Sequence, residues 1–429
     1  MDSPAVSENL KERKKDRRQT NATISFEDRR FLDRRQLEAN FRKGTVVPRF
    51  PDNYSALAIG GRLQWLQERV KQDLSLFGTG VLDPRALSKN VENCIGATQV
   101  PLGIAGPLLV KGRSARGSFY IPLATTQGTL VEAYHRGSLI TNMAGGVTSV
   151  AYKDGVHISP SFIFKDLHES LKFMTWVREN ERLIKTTAEQ TTTHGKLLRA
   201  TPFLLGRIVL LNLLFTTGDA SGLNMINIAS DAVCKMVMDK VGPERYFLRS
   251  NFSSDKKPSY LNFIMGYGKE VLAELTLSKT LIKRFMRTTP QDMFAFWYQA
   301  FIASVQAGML GPNAHFANGL SAMFIACGQD IAQVVNASTG ILTLEVLPSG
   351  DLRIYCKFPQ MIVATVGGGT TLPFPKACLQ LLGCYGEGKV MKLAEIMAAA
   401  ALAGEVSIVG ALASGEFAEA DLALRARTK

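Results

Sequence analysis

The sequence lacks the features that mark several common protein classes. Its six cysteines include no pair at CxxC spacing, which argues against a structural zinc site and against a disulfide framework. It has no run of about 18 uncharged apolar residues, and its N-terminal stretch has no apolar signal segment. It also has neither a GxGxxG fingerprint nor a Walker loop. We therefore predict a cytoplasmic protein that binds no metal and no membrane.

The composition is that of a globular protein with a basic excess. The chain has 429 residues, of which 46% are hydrophobic and 20% charged, and its length predicts about two or three domains. Much of the net charge of +13 lies in the first fifty residues, where basic residues alternate with acids and aromatic residues are scarce. Such a segment is typical of a solvated helix or tail. We expect no nucleic-acid partner, and a small-molecule substrate suits the basic surface better.

The hydrophobic pattern predicts mixed helices and strands. Residues 1 to about 45 form a charged arm, followed by an amphipathic helix from Arg62 to Leu76. Between Ser159 and Val241, strand-like runs alternate with helical ones, which predicts a small sheet-plus-helix unit inserted in the chain. Val390 to Leu412 is rich in alanine and glycine and predicts a helix that packs tightly. This pattern predicts an α+β fold.

A glycine-containing loop follows the apolar run that begins at Leu211. Gly218 and Gly222 in GDASGLN permit close backbone approach, and the free N–H groups of a following helix would form an anion site. Gly367 and Gly368 in TVGGGT open a second loop of the same kind. Both loops are equally consistent with turns in which glycine is needed only for packing.

Two charged residues stand out further along the chain. Asp330 follows a long apolar region, where a buried carboxylate would need a partner. Lys256 lies in the polar segment RSNFSSDKKP, which is either a site or a solvated turn.

Several separated motifs resemble the catalytic part of the 3-hydroxy-3-methylglutaryl-CoA (HMG-CoA) reductase family, eukaryotic type. The resemblance covers roughly Tyr54 to Gly415, and its motifs occur in the family order: ENCIGATQVPLGIAGPL, ATTQGTLVEAYHRG, GDASGLNMI, SDKKPSYLNFIMGYGK, NAHFAN, ACGQDIAQVV, TVGGGTTLP and AGEVSIVGALASG.

The resemblance implies an architecture and an assembly. It implies a charged arm and helical N-terminal domain over 1–91, a large domain built around a long central helix over 92–158 and 249–429, and an inserted small α/β, ferredoxin-like domain over 159–248. It also implies a homodimer or homotetramer whose active sites lie across a subunit boundary.

The resemblance also implies which residues carry the reaction, the NADPH-dependent reduction of a thioester. Lys256 matches the lysine that polarises the carbonyl, and Asp330 matches the aspartate at the centre of the charge network. Gln127 replaces an acidic residue, so it cannot exchange a proton at neutral pH. Asp421 stands where the family has a histidine, and Ile158 stands where it has the arginine that binds the substrate carboxylate.

The cofactor elements are retained only in part. Asp219, Gly222 and Asn224 match the DAxGxN motif, and Gly367 and Gly368 match the glycine loop, so these five are the predicted cofactor-binding residues. The serine–arginine pair that binds the 2′-phosphate aligns with Thr192 and Thr193, with Lys196 nearby. Either a nucleotide still binds, or the loops are vestigial and serve packing alone.

These departures together favour a reductase scaffold that has been repurposed. We predict a cofactor-independent cyclase, isomerase or lyase of secondary metabolism, acting on a neutral, polyketide-like carbonyl compound. Lys256 would polarise the carbonyl, and Asp330, Gln127 and Asn318 would position it. Phe252, Phe301 and Phe316 would line an apolar pocket. The alternatives are a divergent NADPH-dependent reductase of HMG-CoA or another carbonyl substrate, and a non-catalytic homologue with a binding or regulatory role.

Overall fold

The computed structural model describes residues 47–79, 83–88 and 90–417. The chain forms two compact units, residues 1–98 and 99–429. The predicted charged arm, residues 1 to about 45, and Asp421 lie outside the described residues.

The first unit contains one α-helix, α1 (Ala56–Val70), among its described residues. The Ser55 hydroxyl accepts a hydrogen bond from the Ala58 N–H at 3.1 Å and thereby caps the helix. The predicted helix start, Arg62, lies six residues after the observed start at Ala56. The first turn is not part of the buried apolar face, since its Leu57 side chain is 85% exposed, and the apolar pattern therefore did not reveal it. Arg62 is buried and donates to the carbonyl of Cys94, so it fixes the ENCIG stretch against the helix.

The second unit contains an antiparallel sheet of eight strands and a separate two-stranded hairpin. The large sheet has the order β7-β4-β6-β3-β8-β10-β9, and β5 pairs with β6. The strands are β1 (Leu102–Lys111), β2 (Arg116–Ala124), β3 (Thr148–Ile158), β4 (Ser161–Ile163), β5 (Lys196–Leu205), β6 (Ile208–Thr216), β7 (Arg245–Phe247), β8 (Gly268–Leu277), β9 (Ile341–Val346) and β10 (Leu352–Met361).

Helices cover the sheet and connect its strands. They are α2 (Leu130–Met143), α3 (Leu167–Glu179), α4 (Glu181–Glu189), α5 (Leu223–Val241), α6 (Tyr260–Met265), α7 (Lys279–Met286), α8 (Pro290–Gln306), α9 (Phe316–Ala326), α10 (Val334–Ala337), α11 (Pro373–Leu381) and α12 (Val390–Ser414). The mixture of helices with an antiparallel sheet confirms the predicted α+β class.

Helix α12 is the long central helix. It has 25 residues, and most of them are buried. It is long and apolar enough to cross a membrane, but 78% of its most apolar window is buried inside the fold, as expected for a core helix. Gly137 of α2 packs so closely on it that a β-carbon there would lie 1.9 Å from the Ala403 carbonyl oxygen. Small residues on both helices are therefore needed for this packing.

The second unit has two hydrophobic cores. One surrounds α12, and the other lies among β4–β6 and helices α3–α5. The exact domain boundaries at 92, 159 and 249, and the cytoplasmic location, stay predictions.

The end of the sheet leads towards the second glycine loop. A tight turn between Leu347 and Asp351 reverses the chain and separates β9 from β10. After β10 the chain leaves the sheet, and residues 362–366 form a loop that reaches the second glycine loop.

Candidate functional site

Lys256 and Asp330 form an ion pair. The Lys256 Nζ atom lies 2.6 Å from Asp330 Oδ2, and the two side chains are 39% and 38% exposed. The apolar surroundings of Asp330 in the sequence suggested a buried carboxylate, which is wrong. Asp330 lies in the loop after α9, where its other oxygen accepts from the Ala332 N–H, so it reaches the surface. The pair thus presents a fixed ammonium group to solvent and ligands.

The loop that carries Lys256 is held in an uncommon backbone conformation. Ser254 and Lys256 have φ angles of 51° and 57°, in the left-handed region. The Asn336 side chain donates to the Ser254 carbonyl at 3.3 Å, and Gln333 donates to the Asp255 carboxylate at 2.8 Å. Asn336 and Gln333 are fully buried. Sequence reasoning missed these supporting amides, although amide side chains within the apolar stretch QDIAQVVN were a usable signal.

Gln127 and Asn318 form a second pair. The Asn318 Nδ2 group donates to Gln127 Oε1 at 3.1 Å. Both groups are amides, so this pair positions a ligand or fixes two segments but holds no exchangeable acid proton. The structure therefore contains the four predicted catalytic residues as two separate pairs, Lys256 with Asp330 and Gln127 with Asn318, and their catalytic roles stay predictions.

One titratable residue next to this pair was missed by sequence reasoning. His315 precedes α9, and its backbone carbonyl accepts from the Asn318 N–H. Its Nδ1 atom lies 2.9 Å from Oε1 of the buried Glu405, and its Nε2 atom has no hydrogen-bond partner among the described residues. The sequence feature that could have revealed this site was Glu405, a carboxylate within the otherwise small and apolar sequence of α12.

Asp219 links the two predicted glycine loops to the start of α12. Its carboxylate accepts from the backbone N–H groups of Gly388, Lys389 and Val390 at 2.7–3.0 Å, at the start of α12. Its carbonyl accepts from the Thr365 N–H, just before the second glycine loop. Because its carboxylate caps α12, we infer that Asp219 positions the two glycine loops, and direct contact with a cofactor stays a prediction.

The first glycine loop opens α5 without a side-chain cap. Gly222 is the N-cap residue with a φ angle of 73°, and within the described chain no N-cap side chain satisfies the first N–H groups of this 19-residue helix. A β-carbon at Gly222 would lie 2.3 Å from Thr217 Cγ2, so only glycine fits there. Asn224 lies in the first helical turn and is exposed. Uncapped N–H groups at the start of a helix bind anions, and a diphosphate fits this chemistry.

The second glycine loop also suits a ligand. Gly367 and Gly368 have φ angles of 73° and 54°, and no described heavy atom lies within 4 Å of where their β-carbons would be. The loop therefore leaves open space that a side chain would fill. Together with the α5 start, it has the properties that close approach of a diphosphate requires.

The residues aligned with the family's 2′-phosphate-binding pair lie at the surface, whereas Ile158, aligned with its carboxylate-binding arginine, lies in a core. Thr192 accepts from the backbone N–H of His194, and Thr193 contacts the His194 ring at 2.8 Å. Lys196 is exposed at the start of β5, opposite the end of β6 that leads into the first glycine loop. Ile158 is fully buried in the second core, so it makes no polar contact to a ligand.

The predicted apolar substrate pocket does not form. Phe252 packs on Phe203 with ring centroids 4.7 Å apart, and the buried Phe316 packs on Phe358 at 4.4 Å. Phe301 packs instead on Trp297. The three rings serve separate packing contacts and do not surround one ligand.

His157, beside Ile158, is a buried histidine. It is 3% exposed, and its ring lies parallel to the Tyr267 ring. Burial lowers the pKa of His157 from 6.5 to about 4, and its contacts with the Gly266 backbone and the Asn212 side chain oppose this shift only in part.

We expect His157 to make the fold sensitive to acid. The unfolded chain takes up a proton near pH 6.5 and the folded chain only near pH 4, so acid favours unfolding. This stabilisation is complete above pH 6.5, and about 3 kcal/mol of it is lost as the pH falls to 4. Urea unfolding of His157→Leu should show a correspondingly smaller loss of stability over this range than the wild type. Equal pH profiles would contradict the assignment.

Comparison with known proteins matches most of the chain. Residues 58–426 match the family model for hydroxymethylglutaryl-coenzyme A reductase. The 3-hydroxy-3-methylglutaryl-coenzyme A reductase of Methanocaldococcus jannaschii is 42% identical over 374 residues, covering 85% of this chain and 92% of the relative. That of Aeropyrum pernix is 40% identical over 377 residues, covering 86% and 89%. The class II enzyme of Streptococcus pneumoniae, solved bound to NADPH, superimposes with a TM-score of 0.63 at 18% identity, covering 84% of this chain and 99% of that one.

These matches overturn two predictions from the sequence. The non-redox cyclase, isomerase or lyase without a cofactor is wrong, because relatives near 40% identity over most of the chain are named as reductases and the superimposed enzyme is bound to NADPH. The error arose because single-residue departures were given more weight than the retained scaffold. The family suggested by the sequence motifs is confirmed. This chain belongs to the hydroxymethylglutaryl-coenzyme A reductase family.

Proposed function

We propose that this chain is an NADPH-dependent reductase of HMG-CoA or another carbonyl substrate. The observation that carries the proposal is the Lys256–Asp330 ion pair, with its 2.6 Å contact and its accessible ammonium group. The reductase names of the archaeal relatives and the uncapped start of α5 support it.

Lys256 would stabilise the charge that develops on the carbonyl oxygen. NADPH, when bound, supplies the hydride. As the carbonyl carbon is reduced, negative charge accumulates on its oxygen, and a fixed ammonium group stabilises that charge. Asp330 holds the ammonium group in place. Because the Gln127 amide has no acidic proton, Lys256 would also be the group that donates a proton to the oxygen. Gln127 and Asn318 would orient the substrate.

The glycine loops would hold the nucleotide. The uncapped N–H groups after Gly222 and the open backbone at Gly367 and Gly368 would bind its diphosphate, and Asn224 lies in the same first turn of α5. Lys196 is exposed and pairs with Thr216 at the end of β6, two residues before this loop, so its charge would favour a 2′-phosphate.

Gly222→Ala tests the cofactor assignment. A β-carbon would collide with Thr217, so the loop must shift, and we expect NADPH affinity to fall by about tenfold or more. Gly206→Ala is the matched control, because Gly206 has a similar φ angle of 61° but open space and lies in the β5–β6 turn. Calorimetric titration with NADPH, and NADPH oxidation with HMG-CoA, are the measurements. Absence of NADPH binding by the wild type, or equal effects of the two variants, would contradict the proposal.

We also propose that the protein works as a homodimer or homotetramer. An apolar stripe on α8 supports this, since Tyr298, Ile302 and Val305 follow helical spacing and are each 49–62% exposed. Sedimentation equilibrium should show a dimer or tetramer, and a monomer at micromolar concentration would contradict it.

A further inference from the structure

A buried ion pair lies next to the first glycine loop. Lys269 of β8 and Asp154 of β3 face each other in the sheet, and the Lys269 Nζ atom lies 2.6 Å from Asp154 Oδ1. The Lys269 side chain is 1% exposed and the Asp154 side chain 14% exposed. Neither residue is among those assigned above to catalysis or to cofactor binding.

Both members of the pair also hold the backbone at the start of the loop. The Lys269 ammonium group donates to the Gly218 carbonyl at 2.9 Å. The other carboxylate oxygen of Asp154, Oδ2, accepts from the Thr217 N–H at 3.4 Å. Two neighbouring residues of the loop are therefore bonded to a pair of side chains that the sheet holds in place.

Stability alone does not account for a charged pair at this position. Removing a lysine and a carboxylate from water costs about as much as their attraction returns, and an apolar pair of similar volume is often as stable. An apolar pair, however, cannot bond to a carbonyl and an N–H group of the loop. The ammonium group therefore selects one conformation of the loop.

This conformation leaves a backbone donor free. In a trans peptide the carbonyl and the following N–H point in opposite directions, so the Asp219 N–H points away from Lys269. Within the described chain, this N–H has no hydrogen-bond acceptor. Gly218 is exposed, and a β-carbon there would meet no described heavy atom within 4 Å, so a ligand has space to reach this peptide.

We propose that Lys269 is a positioning residue for the diphosphate of the nucleotide and acts through the Gly218 carbonyl. Because Lys269 holds this carbonyl inward, the Asp219 N–H faces outward and donates to the diphosphate together with the uncapped start of α5. Lys269 itself is buried and does not touch the nucleotide. This role rests on the proposed NADPH-dependent function and names the group that sets the loop for it.

Calorimetric titration of two variants with NADPH tests this role. Lys269→Met removes the ammonium group but leaves the Asp154 carboxylate without its partner, which destabilises the fold. Asp154→Leu/Lys269→Met removes both charges, and we expect its midpoint of urea unfolding to lie near that of the wild type. Both variants lose the contact with Gly218, so we expect the Kd for NADPH to rise about tenfold or more in each.

Steady-state kinetics of the double variant separates positioning from general damage. We expect its KM for NADPH to rise with the Kd, whereas kcat for HMG-CoA at saturating NADPH should stay within about threefold of the wild type. The reason is that the Lys256–Asp330 pair is unchanged. A fall in kcat as large as the rise in KM would overturn the positioning role.

Lys235→Met is the matched control for the loss of a paired lysine. Lys235 forms a 2.8 Å ion pair with Asp231 on α5, away from the loop, so the variant should keep the wild-type Kd for NADPH. A wild-type Kd in the Asp154→Leu/Lys269→Met variant, or an equal loss in Lys235→Met, would overturn the role of Lys269 and leave the reductase proposal intact. Failure of the wild type to bind NADPH would overturn both.

Discussion

Lys256→Ala is expected to lower kcat for carbonyl reduction by about two to four orders of magnitude. The substitution removes the ammonium group that lies 2.6 Å from Asp330, so the developing charge on the substrate oxygen loses its stabilising partner. It also removes the proton donor that Gln127 cannot replace. Steady-state NADPH oxidation with HMG-CoA measures the effect, and calorimetry should show that NADPH affinity is retained.

Two further variants separate catalysis from structure. Lys256→Arg keeps a positive charge but changes the donor geometry, so we expect it to recover only part of the rate. Lys172→Ala removes an exposed lysine from α3 and should leave kcat unchanged. If Lys256→Ala retains the wild-type kcat, Lys256 is not the polarising group and the site assignment fails.

Glu395→Ala is expected to lower the free energy of unfolding by about 3–5 kcal/mol. Glu395 is fully buried on α12, and its carboxylate accepts from the backbone N–H groups of Ser114, Ala115 and Ala151 at 2.7–3.1 Å. Truncation leaves the buried N–H groups of Ala115 and Ala151 and the part-buried N–H of Ser114 without an acceptor, and it opens a cavity beside the central helix. Urea unfolding followed by circular dichroism measures the change.

The control for this prediction lies close to the same helix. Glu387 is exposed and precedes α12, so Glu387→Ala should change stability by less than about 0.5 kcal/mol. We expect Glu395→Gln to be intermediate, because one amide oxygen can still accept while the NH₂ group faces a backbone donor. A loss below about 1 kcal/mol in Glu395→Ala would show that the three N–H groups find other partners, such as water, at little cost.

The sequence determined the family and much of the architecture. The order of the motifs identified the scaffold, and the alanine-rich run from Val390 predicted the central helix, which begins at that residue. Such features can be predicted from sequence because helical periodicity and glycine-dependent turns depend on residues that are close together in the chain. Gly222 is an example. It has a positive φ angle, and Thr217, the residue that leaves no room for a β-carbon at Gly222, lies only a few residues earlier in the chain.

The roles of single site residues depended on the tertiary structure. Asp219 matches a cofactor motif, yet its carboxylate caps a helix that begins about 170 residues later. Gln127 and Ile158 suggested a lost reaction, but the sequence could not show that Gln127 pairs with Asn318 or that Ile158 belongs to a core. The partners of these residues are distant in the chain. Local pattern therefore fixed the elements and the family, whereas long-range contacts decided what each polar side chain does.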